Sequence, residues 1–129
     1  MPSDRDLDHL ARAIDLGRNG LGRVSPNPTV GAVIARDGRV LGEGWHDLYG
    51  GPHAEVNAIA ACDGADLRGA TIYVSLEPCC HEGRQPPCTD AILASGIRRV
   101  VVATDDPSEK ASGRGLGILR DEGIEVEML

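Results

Sequence analysis

Apolar and polar positions fall into blocks along this chain, and the period of each block predicts an element. Leu7, Leu10, Ala11, Ile14 and Leu16 recur at helical spacing after Ser3-Asp4-Arg5-Asp6, a serine cap with an acid three residues on. Gly17 and Gly20 are expected to end that helix. Two short apolar runs, Thr29 to Ala35 and Arg39 to Gly44, flank Asp37-Gly38, a dipeptide suited to a tight hairpin turn. A helix is predicted from His53 to Ala61 after Pro52, and a β-rich strand from Thr71 to Leu76. Pro86-Pro87 open a further helix from Cys88 to Ala94, which Gly96 closes. Arg98 to Thr104, with Val100-Val101-Val102 inside it, has the composition of a strand buried on both faces. A helix over Gly115 to Glu122 and a strand over Ile124 to Met128 follow.

That order of elements predicts an α/β fold: a three-layer α/β/α sandwich with helices on both faces of a five-stranded mixed sheet. No internal repeat, low-complexity tract or linker divides the 129 residues, so a single domain over 1–129 is expected. Phe is absent and aromatics make up 2%, which leaves Val, Ile, Leu and Ala to build the core. A net charge of −7 disfavours a nucleic-acid partner, whereas a small substrate with one phosphate needs only a few local arginines. The N-terminal residues lack an apolar signal core and no stretch is long enough to span a membrane, so a cytoplasmic location is expected. In that compartment thiols stay reduced, and the four cysteines point to metal binding before disulfides.

The candidate chemistry sits on four residues. His53 and Glu55 stand at a helix start, and Cys79 and Cys88 flank the segment Cys80-His81-Glu82-Gly83-Arg84-Gln85-Pro86-Pro87. One neutral imidazole and two thiolates balance the charge of Zn²⁺ and leave a fourth position open, as a catalytic site requires. Water there becomes acidic enough to act as a nucleophile near neutral pH. Glu55, two residues past His53, is placed to shuttle its proton to a ring nitrogen and then to a departing amine, which is hydrolytic deamination. A closed, structural zinc site with Cys80 as fourth ligand is the other arrangement, and it leaves Glu55 without a role. Cys62 reads as a core thiol, His9 as a polar helix position, and Gly113-Arg114-Gly115 as a plain helix start.

His-x-Glu followed by Pro-Cys and a second Cys resembles the cytidine deaminase-like superfamily, with eight residues between the cysteines where the general pattern has two. That spacing, in Glu77-Pro78-Cys79 through Pro86-Pro87-Cys88, is similar to the riboflavin-biosynthesis deaminases. Pro26-Asn27-Pro28-Thr29-Val30-Gly31, Gly42-Glu43-Gly44-Trp45-His46 and Gly50-Gly51-Pro52-His53-Ala54-Glu55 resemble further blocks of that family, and so does Asp106-Pro107 with Gly113-Arg114-Gly115-Leu116. The resemblance implies one Zn²⁺ per chain on His53, Cys79 and Cys88, with Glu55 as proton shuttle. It implies substrate contacts at Asn27, His46, Arg84 and Asp106, Arg84 being suited to the ribose phosphate. Ser108 takes the place of an Asn that contacts substrate in the family, and Cys80 the place of a Ser.

The implied reaction is release of ammonia from the pyrimidine ring of 2,5-diamino-6-(5-phosphoribosylamino)pyrimidin-4-one. The other readings are a deaminase of a different nucleoside or nucleobase, such as cytidine, cytosine or guanine, and a non-catalytic zinc-binding partner domain. The resemblance also implies a homo-dimer or homo-tetramer, no membrane partner, and a reductase step carried outside these residues.

Overall fold

A computed structural model of the chain describes residues 4–24, 29–48, 51–78, 88–103 and 114–128. Helix α1 (Asp4–Gly17) ends in a single 3-10 turn, Arg18–Gly20, and leads to the strands β1 (Gly31–Arg36) and β2 (Arg39–Trp45). Then come α2 (Ala54–Ala61), β3 (Thr71–Val74), α3 (Cys88–Ser95), β4 (Arg99–Val102), α4 (Arg114–Asp121) and β5 (Glu125–Met128). The expected elements are all present, with β3 and β4 shorter than their apolar runs.

The strands form one five-stranded sheet in the order β2-β1-β3-β4-β5. β1 pairs antiparallel with both β2 and β3, while β3, β4 and β5 run parallel, so the sheet is mixed as expected. The β1–β2 hairpin turns on Asp37 (φ 53°) and Gly38 (φ 81°), both left-handed, the backbone that a two-residue hairpin loop demands.

Side chains alternate along the strands and split the core in two. Ala32, Ile34, Ile72, Val74, Val100 and Val102 pack with residues of α2, α3 and α4, including Ala54, Ala58, Ile92, Leu116 and Leu119. Val33, Ala35, Tyr73 and Val101 pack on the opposite face against Leu10, Ala13 and Leu16 of α1. The three layers are therefore α1, the sheet, and α2 to α4. Val100, Val101 and Val102 are each fully buried, which explains why that run lacks polar alternation.

Helix α1 buries only part of the apolar set that its period marks. Asp6, Leu10, Ala13, Leu16 and Gly17 are buried, whereas Leu7 is 50% and Ile14 43% exposed. Asp6 faces inward because it has partners there. Its carboxylate accepts two hydrogen bonds from the Arg99 guanidinium, at 2.9 Å each, and one from the Tyr73 hydroxyl at 2.7 Å. Arg99 also donates to Glu127 at 2.9 Å, so the cluster ties α1 to β3, β4 and β5. His9, expected to be a simple polar position, packs its ring 4.9 Å from that of Tyr73.

Small residues set how closely α2 lies on the sheet. An added Cβ at Gly44 would meet the Ala58 backbone nitrogen at 2.4 Å, and one at Gly42 the Ala58 carbonyl oxygen at 2.6 Å. On the helix side the facing positions are Ala54, Ala58 and Cys62, one turn apart. Helix backbone thus rests directly on strand backbone, and the N-terminus of α2 is held in a fixed place above β2.

Candidate metal centre

Two helix N-termini supply the described donors. His53 is the N-cap of α2 with extended backbone (φ −78°, ψ 168°), and its side chain makes no capping hydrogen bond to the helix. Its carbonyl accepts the first helical bond from the Asn57 amide at 3.0 Å. The imidazole points to the start of α3, where its Nδ1 lies 3.2 Å from Cys88 Sγ. Cys88, 1% exposed, is the first residue of α3, a position where backbone amides favour an anionic sulfur. The two donors come from residues 35 apart in the chain.

These donors fit zinc. Bonds of about 2.0 Å to nitrogen and about 2.3 Å to sulfur, at a tetrahedral angle, place the two donor atoms about 3.5 Å apart. The observed 3.2 Å is within a small relaxation of that value, and imidazole with thiolate is a donor set that zinc favours. Cys79, expected as the third ligand, lies outside the described residues. Among the described residues no group of three His, Cys, Asp or Glu side chains stands together.

Glu55 occupies the first turn of α2 and is 3% exposed. Its burial, in the first turn of the helix that His53 caps, keeps it from being a simple surface acid. The positions of His46 and Asn57 explain how His53 is aimed. The His46 ring is 3% exposed and stands edge-on to the His53 ring with centroids 4.9 Å apart. Its Nδ1 lies 3.1 Å from the Pro52 carbonyl oxygen. The Asn57 amide donates to the carbonyls of Trp45 at 2.8 Å and of Pro52 at 3.3 Å. The end of β2, the segment before α2 and the first two turns of α2 are thus pinned to one another around His53.

The other expected contacts, Asn27, Arg84, Asp106 and Ser108, lie outside the described residues, as do Cys80 and His81. Cys62 is a buried core thiol, as its sequence context suggests, and burial pushes its pKa up. Arg114 opens α4, in line with a plain helix start. The contacts of Asn57 at Trp45 and Pro52, and the burial of Glu77, were not legible in the sequence. Asn57 carries no spacing signal, and Glu77 sits beside the cysteine segment without a feature that predicts its partner. A cavity of about 240 Å³ lies elsewhere, at the hairpin-turn end of the sheet beside His9, Tyr73 and Arg99. Arg99 is already committed to Asp6 and Glu127 there, and the zinc donors take no part in it.

Among the described residues no helix is long and apolar enough to cross a membrane. Residues 3–104 match the zinc-binding region of the cytidine and deoxycytidylate deaminases. The chain is 50% identical over 121 residues to the riboflavin biosynthesis protein RibD of Actinobacillus pleuropneumoniae, covering 94% of this chain and 32% of that protein. It is 46% identical to a diaminohydroxyphosphoribosylamino-pyrimidine deaminase of Buchnera aphidicola, covering 96% of this chain and 84% of that one. Among solved structures it superposes with a TM-score of 0.91 on a Thermotoga maritima diaminohydroxyphosphoribosylaminopyrimidine deaminase/5-amino-6-(5-phosphoribosylamino)uracil reductase. Identity there is 52%, covering 96% of this chain and 36% of that one. The chain spans about a third of the length of the RibD relatives it matches. With its His53–Cys88 donor pair, its mixed sheet and these likenesses, the chain belongs to the zinc-binding cytidine and deoxycytidylate deaminase family, in the branch of the riboflavin-biosynthesis deaminases.

Proposed function

We propose that this chain hydrolytically deaminates 2,5-diamino-6-(5-phosphoribosylamino)pyrimidin-4-one, releasing ammonia. The observation that carries the reading is the 3.2 Å approach of His53 Nδ1 to Cys88 Sγ with Glu55 buried in the adjoining first turn. A relative of nearly the same extent, named for this deamination and 46% identical, supports the substrate class.

His53, Cys79 and Cys88 would hold the zinc. When bound, zinc acts as a Lewis acid that makes water acidic enough to attack near neutral pH. Glu55 takes the proton that this water loses as its oxygen bonds to the amine-bearing ring carbon, and passes it to the ring nitrogen. The hydroxyl now on that carbon gives its remaining proton to the same carboxylate, which passes it to the exocyclic nitrogen; the C–N bond breaks as the C=O bond forms, and ammonia leaves. His46 and Asn57 keep the imidazole oriented through the contacts at Pro52 and Trp45. Asn27, His46, Arg84, Asp106 and Ser108 face the substrate, with Arg84 on the ribose phosphate. Residues 1–129 form one deaminase domain that works in the cytoplasm as a homo-oligomer, with the subsequent reduction carried by other residues.

Metal analysis paired with ammonia release tests this directly. The phosphorylated diaminopyrimidine is expected to turn over well ahead of its dephosphorylated form, cytidine and guanine. Faster release from cytidine or guanine would overturn the substrate assignment. Arg84→Ala is expected to raise KM for the phosphorylated substrate and leave the dephosphorylated one nearly unchanged. Equal losses on both would remove the phosphate role.

A further inference from the structure

Glu77 is 4% exposed, and its carboxylate lies far in sequence from the amides that it receives. Its Oε2 accepts hydrogen bonds from the backbone amides of Gly115 at 2.9 Å and Leu116 at 3.4 Å. These are the second and third residues of α4, whose first-turn amides have no partner within the helix. A capping side chain usually comes from the residue just before a helix, but that residue is Gly113, which has none. Glu77 supplies the oxygen from 38 positions earlier. A second contact lies beside the first. A Cβ on Gly115 would fall 2.3 Å from the Pro78 carbonyl oxygen, so the backbone of α4 rests directly on the backbone of Pro78.

The two segments joined in this way adjoin, in sequence, residues expected at the site. Pro78 is followed by Cys79, and α4 is preceded by the segment that holds Asp106 and Ser108. We propose that Glu77 is a positioning residue that locks the zinc-ligand segment to the substrate-contact segment, acting through the paired contacts of Glu77 and Pro78 with the start of α4. The proposal rests on the reading of Cys79 as a zinc ligand and of Asp106 and Ser108 as substrate contacts. A simple helix cap and this lock differ in what they control. A cap contributes to the stability of α4 alone, whereas the lock would also change zinc affinity and KM. Partners of this kind behind a metal ligand change metal affinity by about 10–100-fold when removed.

The experiment compares the full chain with its Glu77→Ala, Glu77→Gln, Gly115→Ala and Cys79→Ala variants. Zinc affinity is read by chelator competition, KM and kcat with the phosphorylated diaminopyrimidine, and the melting temperature on metal-free protein. Glu77→Ala is expected to weaken zinc binding about 10–100-fold and to raise KM. Glu77→Gln, which keeps an acceptor for the two amides, is expected to restore zinc affinity to within a few-fold of the parent. Gly115→Ala reaches the same contact from the other side, and is expected to lose zinc affinity and raise KM with Glu77 intact. A lower melting temperature in Glu77→Ala with zinc affinity and KM unchanged would make Glu77 a helix cap only, and would overturn the proposal. If Glu77→Ala yields no folded protein, unchanged zinc affinity and KM in Gly115→Ala overturns it equally. Zinc retained in Cys79→Ala would defeat the ligand reading and the proposal together. Zinc lost there but unchanged in both Glu77→Ala and Gly115→Ala would defeat the proposal alone.

Discussion

At the scale of single residues, Asp6 and Glu55 are, with Glu77, the buried carboxylates among the described residues. Glu55 is buried in the first turn of α2, and proton transfer is the role proposed for it. Glu55→Gln is expected to keep its zinc and lose about 10²–10⁴-fold in ammonia release, checked by metal analysis beside a turnover assay. Asp6 is buried in a cluster with Tyr73 and Arg99 that holds layers together. Asp6→Ala strips Arg99 of its bidentate partner and Tyr73 of its acceptor, and is expected to cost about 3 kcal/mol, since Arg99 retains Glu127. Urea unfolding at neutral pH measures it. Burial, and then the hydrogen bond to Asp6, push the Tyr73 hydroxyl from 10.0 up to about 12. The folded protein keeps a proton that the unfolded chain releases at lower pH. This contribution to stability is therefore complete below pH 10 and is lost as the pH rises from 10 through about 12. Tyr73→Phe is expected to flatten that alkaline limb of the stability profile, and an unaltered limb would refute the assignment.

At the scale of elements, the site depends on where two helices begin. His53 and Cys88 meet because α2 and α3 start at the same end of the sheet, and α2 keeps its place by resting on Gly42 and Gly44. Gly44→Ala puts a methyl against the Ala58 nitrogen at 2.4 Å, so α2 must shift. Overpacking of this kind costs about 1–3 kcal/mol. Because α2 carries His53, zinc affinity is expected to fall with stability, which distinguishes this variant from a substitution on the exposed side of α1 such as Leu7→Ala. Chelator competition and thermal melts on both variants check this. The element boundaries were largely legible in the chain: Asp37-Gly38 turns the hairpin, and Gly96 follows α3 with φ 90°. The inward face of α1 was not. Leu7 and Ile14 have the right period, but Asp6, Leu10, Ala13 and Leu16 share it, and the ion pair with Arg99 decides between the two faces.

At the scale of the whole molecule, a zinc ion held as proposed by His53 and Cys88 would join α2 to α3, and so would cross-link the fold. A ligand held by the native state alone adds stability that grows with its saturation, about 4 kcal/mol at a thousand times its dissociation constant. Removal of zinc with a chelator is expected to lower the melting temperature, and Cys88→Ala to abolish that response. A chelator-insensitive melt in the parent protein would contradict the reading.

The sequence by itself determined the order of elements and the hairpin, because each is encoded within a few consecutive residues or in a repeated period. Helix starts at His53 and Cys88, the turn at Asp37-Gly38 and the apolar run at Val100 to Val102 all belong to this kind. Tertiary structure alone decided which partners meet across long stretches of chain: Asp6 with Arg99 at a separation of 93 residues, Asp6 with Tyr73 at 67, and Glu77 with Gly115 at 38. A charged side chain carries no mark of the distant group that will neutralise it, and a glycine carries none of the backbone that will press against it. Those pairings are set only when the layers pack.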